Sequence, residues 1–189
     1  DNFITGNDTL FATDLIRQRW LDNYFYGQVF SVNYKKVKDE LSIGGSWTDY
    51  AGKHIGYITW AKAGLPDQYQ YYLRPALKTD RNIYVKWAHL FNNAWSIFAD
   101  VQYRHVFHKI DGFSSNPGLF IKRNFVFFNP KAGVSYKANG VHAYFSYAVA
   151  GREPNRDDFE AAITEQPKKE IMHDFEIGIS KKTSVYNWG

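Results

Sequence analysis

The sequence predicts an all-β protein, folded as an antiparallel up-and-down meander of about seven long strands. Apolar and polar side chains alternate along several stretches, which is the period of a strand and not of a helix. These stretches run about ten to fifteen residues, longer than the five or six typical of globular sheets. The connections between them alternate between short and long. Successive strands are therefore expected to run antiparallel, with the short turns at one end of the sheet.

The alternation is clearest in Val141 to Val149, where five apolar or aromatic side chains share one face and four others share the opposite face. It recurs from Ala94 to His108, from Glu170 to Ser180 and from Leu41 to Thr48. Strand side chains point to alternate sides, so each stretch has one apolar face and one mixed face. Three weaker stretches complete the set of seven: Tyr24 to Lys35, Asn82 to Phe91 and Asn124 to Lys137.

The short connections are predicted at Lys36 to Asp39, Asn92-Asn93 and Asn139-Gly140. The last of these is a strong signal for a two-residue hairpin turn. The long connections are predicted at Asp49 to Arg81, at Asp111 to Arg123 and at Arg152 to Lys169. Short turns at one end and longer loops at the other are typical of outer-membrane barrels.

Strand length and aromatic content also favour a membrane barrel. A tilted membrane strand needs about nine to eleven residues. Aromatic residues make up 19% of the chain, and they crowd the predicted strand ends as an interfacial girdle would. The members of this girdle are Tyr24, Phe25, Tyr26, Trp47, Tyr50, Phe91, Trp95, Phe125, Phe127 and Phe128.

Seven strands do not close a small barrel of the usual even number, and open edges in lipid are costly. We therefore expect an arc of a larger barrel wall. Residues 1–189 would form a partial β-barrel domain that is truncated at both ends. The alternative is a soluble, secreted ligand-binding β-barrel of lipocalin-like size, whose apolar face would point inward. A third possibility, an outer-membrane hydrolase, requires an even closed barrel and a Ser/His/acid cluster. Ser114, Ser115 and His108 fix no such triad.

Composition argues against several other classes of protein. A net charge of +4 is too small to indicate nucleic-acid binding. There is no Cys, so a thiolate zinc site is excluded, and no P-loop, G-x-S-x-G or H-E-x-x-H pattern occurs. His105 and His108 are three residues apart, which places them on opposite faces of a strand. We expect no catalytic residue, no cofactor and no metal site.

Three segments in order resemble TonB-dependent outer-membrane receptors: FFNPKAGVSY (127–136), YFSYAVAGREPNRDDF (144–159) and PKKEIMHDFEIGIS (167–180). Upstream, RQRWLDNYFYG (17–27) and GGSWTDYAGKHIGYITW (44–60) resemble receptors of the Bacteroidetes type. The resemblance implies a twenty-two-stranded barrel in the outer membrane of a Gram-negative bacterium, with an N-terminal plug domain outside this chain. It also implies import of a scarce nutrient, powered through TonB. An iron chelate such as a siderophore complex, cobalamin or a glycan would be the cargo, and membrane lipid, the plug and TonB would be the partners.

Two groups of residues are candidates for extracellular loops that contact ligand. The aromatic set suits sugar rings or aromatic chelators, and it comprises Trp60, Tyr69, Tyr71 and Tyr72. The charged set follows a strand end, and it comprises Arg152, Glu153, Asn155 and Arg156. For the aromatic set, the alternative is a loop that packs on itself. For the charged set, the alternative is a structural role that holds the loop and the barrel rim, with Pro154 releasing the strand into the loop.

Polar residues at period two on three strands are predicted to line the lumen of the barrel. They are Lys86, Asp100, Gln102, Arg104, Glu170, Asp174 and Glu176. Such residues would contact the plug or neighbouring strands, and paired charges are favoured there over catalysis. Pro130 is predicted to form a bulge near the outer rim. Gly44, Gly45 and Gly133 suggest strand curvature or close backbone approach.

Overall fold

Backbone hydrogen bonds join seven long strands and one short strand into a single antiparallel sheet. The computed structural model describes residues 13–62, 64–161, 165–183 and 185–189, together with the backbone of residues 3–5 and 8–10. A separate two-stranded sheet pairs β1 (Phe3–Thr5) with β2 (Asp8–Leu10). The strands of the large sheet are β3 (Leu15–Lys35), β4 (Asp39–Ala61), β5 (Tyr69–Leu90), β6 (Trp95–Asp111), β7 (Phe120–Ala138), β8 (Val141–Arg152), β9 (Glu170–Lys182) and β10 (Asn187–Trp188).

Each strand of the large sheet pairs with its neighbours in sequence, in the order β10-β9-β8-β7-β6-β5-β4-β3. The register of β8 on β9 runs without interruption from Val141 opposite Lys181 to Arg152 opposite Glu170. One short helix, α1 (Arg156–Ala161), lies in the connection between these two strands. The predicted all-β, up-and-down meander of about seven long strands is thus confirmed. The structure adds an eighth strand to this sheet, the two-residue β10.

The strands are longer than the sequence indicated, and the connection predicted at Asp49 to Arg81 was wrong. Strand β4 continues to Ala61 and β5 begins at Tyr69, so the connection covers only 62–68. Alternation is hard to see here because the buried positions of β4 include Gly52 and Gly56, which give no apolar signal. The connections still alternate in length. Those at 36–38, 91–94 and 139–140 are short, whereas 62–68, 112–119 and 153–169 are longer, with 63 and 162–164 outside the described residues. The connection predicted at Asp111 to Arg123 is thus shorter than expected.

The chain divides into two compact units, of residues 1–26, 49–78 and 108–123, and of residues 27–48, 79–107 and 124–189. In the first unit, Ile58, Ile110, Phe113 and Ile121 are buried. In the second unit the buried apolar side chains are Val106, Phe125, Phe127 and Phe159. The burial of Phe125 and Phe127 corrects their assignment to an exposed aromatic girdle, whereas Phe128 beside them is exposed.

The second unit has an exposed apolar face. Seven large apolar side chains on β5, β6 and β9 are between 40% and 86% exposed: Ile83, Val85, Val101, Tyr103, Phe175, Ile177 and Ile179. They occupy odd-numbered positions, so the residues between them point to the other side of the sheet. That other side is polar and internally hydrogen-bonded, since Ser96 and Ser135 share a hydrogen bond of 2.7 Å and Ser146 donates to Glu176 at 3.2 Å.

No helix among the described residues is long and apolar enough to cross a membrane, a finding that has no bearing on crossing by strands.

The hairpin at Asn139-Gly140 requires a left-handed backbone at both residues, with φ of 50° and 76°. A side chain at Gly140 would also collide with the carbonyl oxygen of Lys182, which cannot move without breaking the sheet. We expect Gly140→Ala to lower the free energy of unfolding by about 1–2 kcal/mol, measured by urea unfolding. Asn139→Gly is the control, because Gly adopts positive φ freely. Equal effects of the two substitutions would contradict the assignment of strain to Gly140.

Candidate functional site

The predicted site residues meet most closely around Arg104 of β6. Its guanidinium group binds two carboxylates at once, Asp80 on β5 and Glu153 directly after β8. The Arg104 Nε lies 3.1 and 3.0 Å from the two Asp80 oxygens, and Nη1 and Nη2 lie 2.9 and 3.0 Å from the two Glu153 oxygens. Nη2 also donates to Asp80. Each carboxylate therefore accepts from two nitrogens of the guanidinium group, which is the strongest geometry for this type of ion pair. We call Asp80, Arg104 and Glu153 the Arg104 clamp.

The Arg104 clamp is mostly shielded from water. The side chains of Arg104, Asp80 and Glu153 are only 22%, 20% and 9% exposed. Phe127 of β7 covers part of it, with its ring centroid 5.7 Å from the Arg104 guanidinium carbon. Charges in such an environment attract more strongly than at an open surface. Removing one partner would leave an uncompensated charge.

Phe127 connects the clamp to both ends of the connection between β8 and β9. A side chain at Gly151 would collide with the Phe127 ring, so the absence of a side chain there lets the ring lie against β8. At the other end of the connection, the Lys169 ammonium lies 5.7 Å from the same ring centroid and donates to the Val126 carbonyl at 2.8 Å. Lys169, Asp80 and Phe127 were not among the predicted site residues.

The charged set Arg152, Glu153, Asn155 and Arg156 makes ion pairs and helix-capping hydrogen bonds beside the clamp. Arg152 pairs with Glu170 of β9 at 2.9 Å, at the end of the ladder. Asn155 caps α1, because its side-chain oxygen accepts from the backbone N–H groups of Asp157 and Asp158. The Asp158 carboxylate in turn accepts a hydrogen bond of 2.8 Å from the backbone N–H of Asn155. The two residues therefore form a reciprocal cap. Arg156 is the first residue of α1.

The cap directs α1 back onto the sheet. Pro154 is buried in front of it, and Phe159 is fully buried with its ring centroid 6.4 Å from that of Phe125. The charged set after β8 thus holds the start of the connection between β8 and β9. It does so through an ion pair and a helix cap, and the buried Phe159 ring adds an apolar contact. These contacts favour the structural role that the sequence left open for this set.

Four of the remaining polar residues predicted to line the lumen also interact with neighbouring strands: Lys86, Asp100, Gln102 and Glu176. The Lys86 ammonium lies 3.8 Å from Asp100, and Gln102 accepts a hydrogen bond of 3.0 Å from Asn129. Glu176 accepts from Ser146, and Asp174 stands opposite Ala148 in the ladder. Lys86 and Asp100 thus form an ion pair, and Gln102 and Glu176 are each hydrogen-bonded to a neighbouring strand. Among the described residues, no group of three His, Asp or Glu side chains is placed to hold a metal ion.

The aromatic set lies in the first unit and on strands, which corrects its placement in a loop. Trp60 is next to last in β4, and Tyr69 is the first residue of β5. Tyr71 and Tyr72 make an edge-to-face contact with ring centroids 5.0 Å apart. Both rings lie over Gly56 of β4, where an added side chain would collide with them. The set flanks the 62–68 connection rather than filling it.

At the short-turn end of the second unit, Asp39 is the first residue of β4 and accepts two hydrogen bonds from β5. The His89 ring nitrogen Nδ1 lies 2.8 Å and the Trp87 indole nitrogen 3.2 Å from the same carboxylate oxygen. The hydrogen bond from His89 is the main cause that lowers the pKa of Asp39, and that from Trp87 adds to it. The Asp39 carboxylate is therefore already engaged by two side chains of the protein.

Breaking the Arg104 clamp is expected to destabilise the protein much more than breaking the neighbouring rim pair. Arg104→Gln leaves Asp80 and Glu153 without their shared cation, and we expect a loss of about 2–4 kcal/mol in the free energy of unfolding. Arg152→Gln is the matched control, because the Arg152–Glu170 pair is 68% and 65% exposed and such pairs contribute about 0–1 kcal/mol. Urea unfolding of both variants measures the difference, and similar losses would rule out a special role for the clamp.

No protein-family model matches the chain, and no curated protein matches it in sequence. Among solved structures, the chain is similar to the copper transporter OprC, with a TM-score of 0.68 and 11% sequence identity; the match covers 89% of this chain and 28% of that one. It is also similar to the ferric citrate transporter FecA in the unliganded form, with a TM-score of 0.61 and 14% identity, over 87% of this chain and 25% of that one.

The chain thus spans 28% and 25% of the length of these two transporters. At such low identity the likeness concerns the fold. The chain has the fold of a segment of a transporter β-barrel, an eight-stranded part of an up-and-down antiparallel sheet.

Proposed function

We propose that the chain is a segment of the barrel wall of a TonB-dependent receptor in the outer membrane of a Gram-negative bacterium. The observation that carries the proposal is the exposed apolar face of the second unit. Ile177 is 86% exposed in the middle of a regular strand, and Phe175 and Ile179 on the same side of β9 are also exposed. Contiguous apolar patches of this kind are rare on soluble monomers, whereas a barrel strand presents one to lipid at every second residue.

The polar side of the same sheet supports the proposal. Polar and charged side chains there pair with one another across strands, as in Lys86 with Asp100 and Ser146 with Glu176. In a large barrel this side faces a polar interior. The soluble, lipocalin-like alternative requires the reverse arrangement, with the apolar side chains covered. The exposure of Ile83, Val101 and Ile177 therefore favours the membrane protein.

Within this proposal the chain is a partial barrel domain, and the plug and the contact with TonB belong to other parts of the protein. The motifs at 17–27 and 44–60 favour a receptor of the Bacteroidetes type. The role is transport rather than catalysis, in keeping with the two similar structures, which are named as transporters. The cargo is a scarce nutrient, which we expect to be an iron chelate, cobalamin or a glycan.

For cargo contact, we favour the aromatic set Trp60, Tyr69, Tyr71 and Tyr72 over the charged set. Arg152, Glu153 and Asn155 are engaged by Glu170, by Arg104 and by α1. The aromatic side chains stand on the strands that flank a connection at the long-connection end of the sheet. Tyr and Trp in such positions combine an apolar ring with a polar tip, which suits a chelate or a sugar.

A charge on the apolar face is the direct test of membrane embedding. In the full-length protein folded in lipid vesicles, Ile177→Arg is expected to lower the free energy of unfolding by about 2–4 kcal/mol, because Arg would lie in hydrocarbon. Val37→Arg is the matched control, since Val37 is 90% exposed but lies in the turn 36–38, outside the strands. On a soluble protein both substitutions would lie within about 0.5 kcal/mol of the parent, and that result would overturn the proposal.

The orientation in the membrane can be tested with single cysteines, because this segment has none of its own. We expect Gly118→Cys, in the long-connection end, to react with a membrane-impermeant maleimide on intact cells. Nothing lies within 4 Å of a side chain added at Gly118. Asn93→Cys, in a short turn, should react only after the outer membrane is permeabilised. Asn92 is left intact because its side chain accepts from the N–H groups of Ala94 and Trp95.

Reaction of both cysteines on intact cells, or of neither, would contradict the proposed orientation.

A further inference from the structure

The short-turn end of the second unit carries a concentration of lysines that the proposed function does not use. Six lysines lie within the connections 36–38, 139–140 and 183–186 or within two residues of them: Lys35, Lys36, Lys38, Lys137, Lys181 and Lys182. Only Asp39 and Glu40 supply negative charge in the same segments. The long connection 153–169 has the opposite balance, with five acidic and three basic residues. Charge is therefore distributed unequally between the two ends of the strands.

Most of this positive charge is not neutralised by the protein. Asp39 is engaged by His89 and Trp87, and Glu40 pairs with Lys35 at 3.5 Å. The charge of Lys36 also acts on Asp39, whereas within the described ranges Lys137, Lys181 and Lys182 form no ion pair with a carboxylate. All but Lys181 among the six lysines are exposed. An anionic partner could therefore be bound without first breaking a strong internal pair.

Aromatic side chains separate these lysines from the exposed apolar face. Trp87 lies close to the end of β5, and Trp95 at the start of β6 packs against Tyr136 with ring centroids 4.9 Å apart. Trp188 of β10 stands opposite Lys181. The order from the strand centre outward is apolar, then aromatic, then lysine. Trp and Tyr concentrate at a membrane–water interface, and lysine stems extend along apolar surface to place the ammonium group in the headgroup region.

We propose that this lysine rim binds anionic phospholipid headgroups of the leaflet at the short-turn end, which in the proposed orientation is the periplasmic leaflet. The inference rests on the proposed function, because it requires the strands to be embedded in lipid. A partner for this surface must present negative charge beside hydrocarbon, and an anionic phospholipid has both. An acidic protein would supply the charge but would leave the adjoining apolar and aromatic side chains uncovered.

The test uses the purified full-length protein in bilayers of phosphatidylcholine that contain increasing fractions of brominated phosphatidylglycerol. Quenching of tryptophan fluorescence gives the association constant of the anionic lipid relative to phosphatidylcholine. We expect a preference for phosphatidylglycerol at low salt, of roughly fivefold for each lysine that contributes fully. The preference should fall toward one in about 1 M salt, where the Debye length is about 3 Å.

The variant that replaces Lys36, Lys38, Lys137, Lys181 and Lys182 by Gln is expected to lose the preference. The corresponding Arg variant should retain it, which separates loss of charge from a general disturbance of the fold. The control at the long-connection end is Lys62→Gln with Lys168→Gln, where the two lysines lie near Asp14 and Glu165. It is compared with Lys181→Gln with Lys182→Gln, which removes the same number of charges from the lysine rim. The control at the long-connection end should leave the preference unchanged.

Two different failures can be told apart. If the parent protein embeds in bilayers but shows no preference, or if the Gln variant keeps it, the lipid-binding inference is wrong and the proposed function stands. If the parent protein does not embed in any bilayer, the proposed function fails and this inference fails with it.

Discussion

The antiparallel backbone ladder between neighbours in sequence is the interaction on which the rest of the structure depends. Buried apolar contacts are few among the described residues, and they concentrate where β6 and β7 approach the long connections. The exposed apolar face of the second unit contributes little to cohesion in water. Hydrogen bonds along the strands therefore hold most of the sheet together, as they do in a barrel wall whose outer side chains pack against lipid. The register of the ladder then determines which polar side chains meet on the other face.

The Arg104 clamp shows how this register organises the long-connection end. Asp80 and Arg104 meet because β5 and β6 are neighbours, and Glu153 joins them because β8 ends at the same level. Phe127 fills the space between the clamp and Gly151. A buried ion pair of this type adds little net stability over an apolar replacement, but it penalises any arrangement in which one partner is missing. It therefore favours one placement of the connection over others.

Much of the fold could be predicted from the sequence, because period-two alternation and turn chemistry are local. The hairpin at Asn139-Gly140 could be predicted because both residues favour the backbone conformation of a tight turn. The strand from Val141 to Val149 could be predicted because its apolar and mixed faces alternate. The extent of β4 and β5 could not be read in this way, since Gly52, Gly56 and Pro75 interrupt the alternation. The partners of Arg104 depend on residues far apart in the chain, so Asp80 was missed. Phe127 was wrongly placed in the exposed girdle together with Phe128, although adjacent residues of a strand point to opposite faces.

The anchored ends of the connection between β8 and β9 have a consequence for how this protein can evolve. Glu153, Pro154 and Phe159 fasten its beginning, and Lys169 fastens its end to β7. Substitutions and insertions between these anchors do not alter the distance that the chain must close, and the entropy of closing a loop grows slowly with its length. The segment between Phe159 and Lys169 can therefore change in sequence and length while the sheet stays constant. Related proteins can acquire new loop surfaces there without a compensating change in the strands.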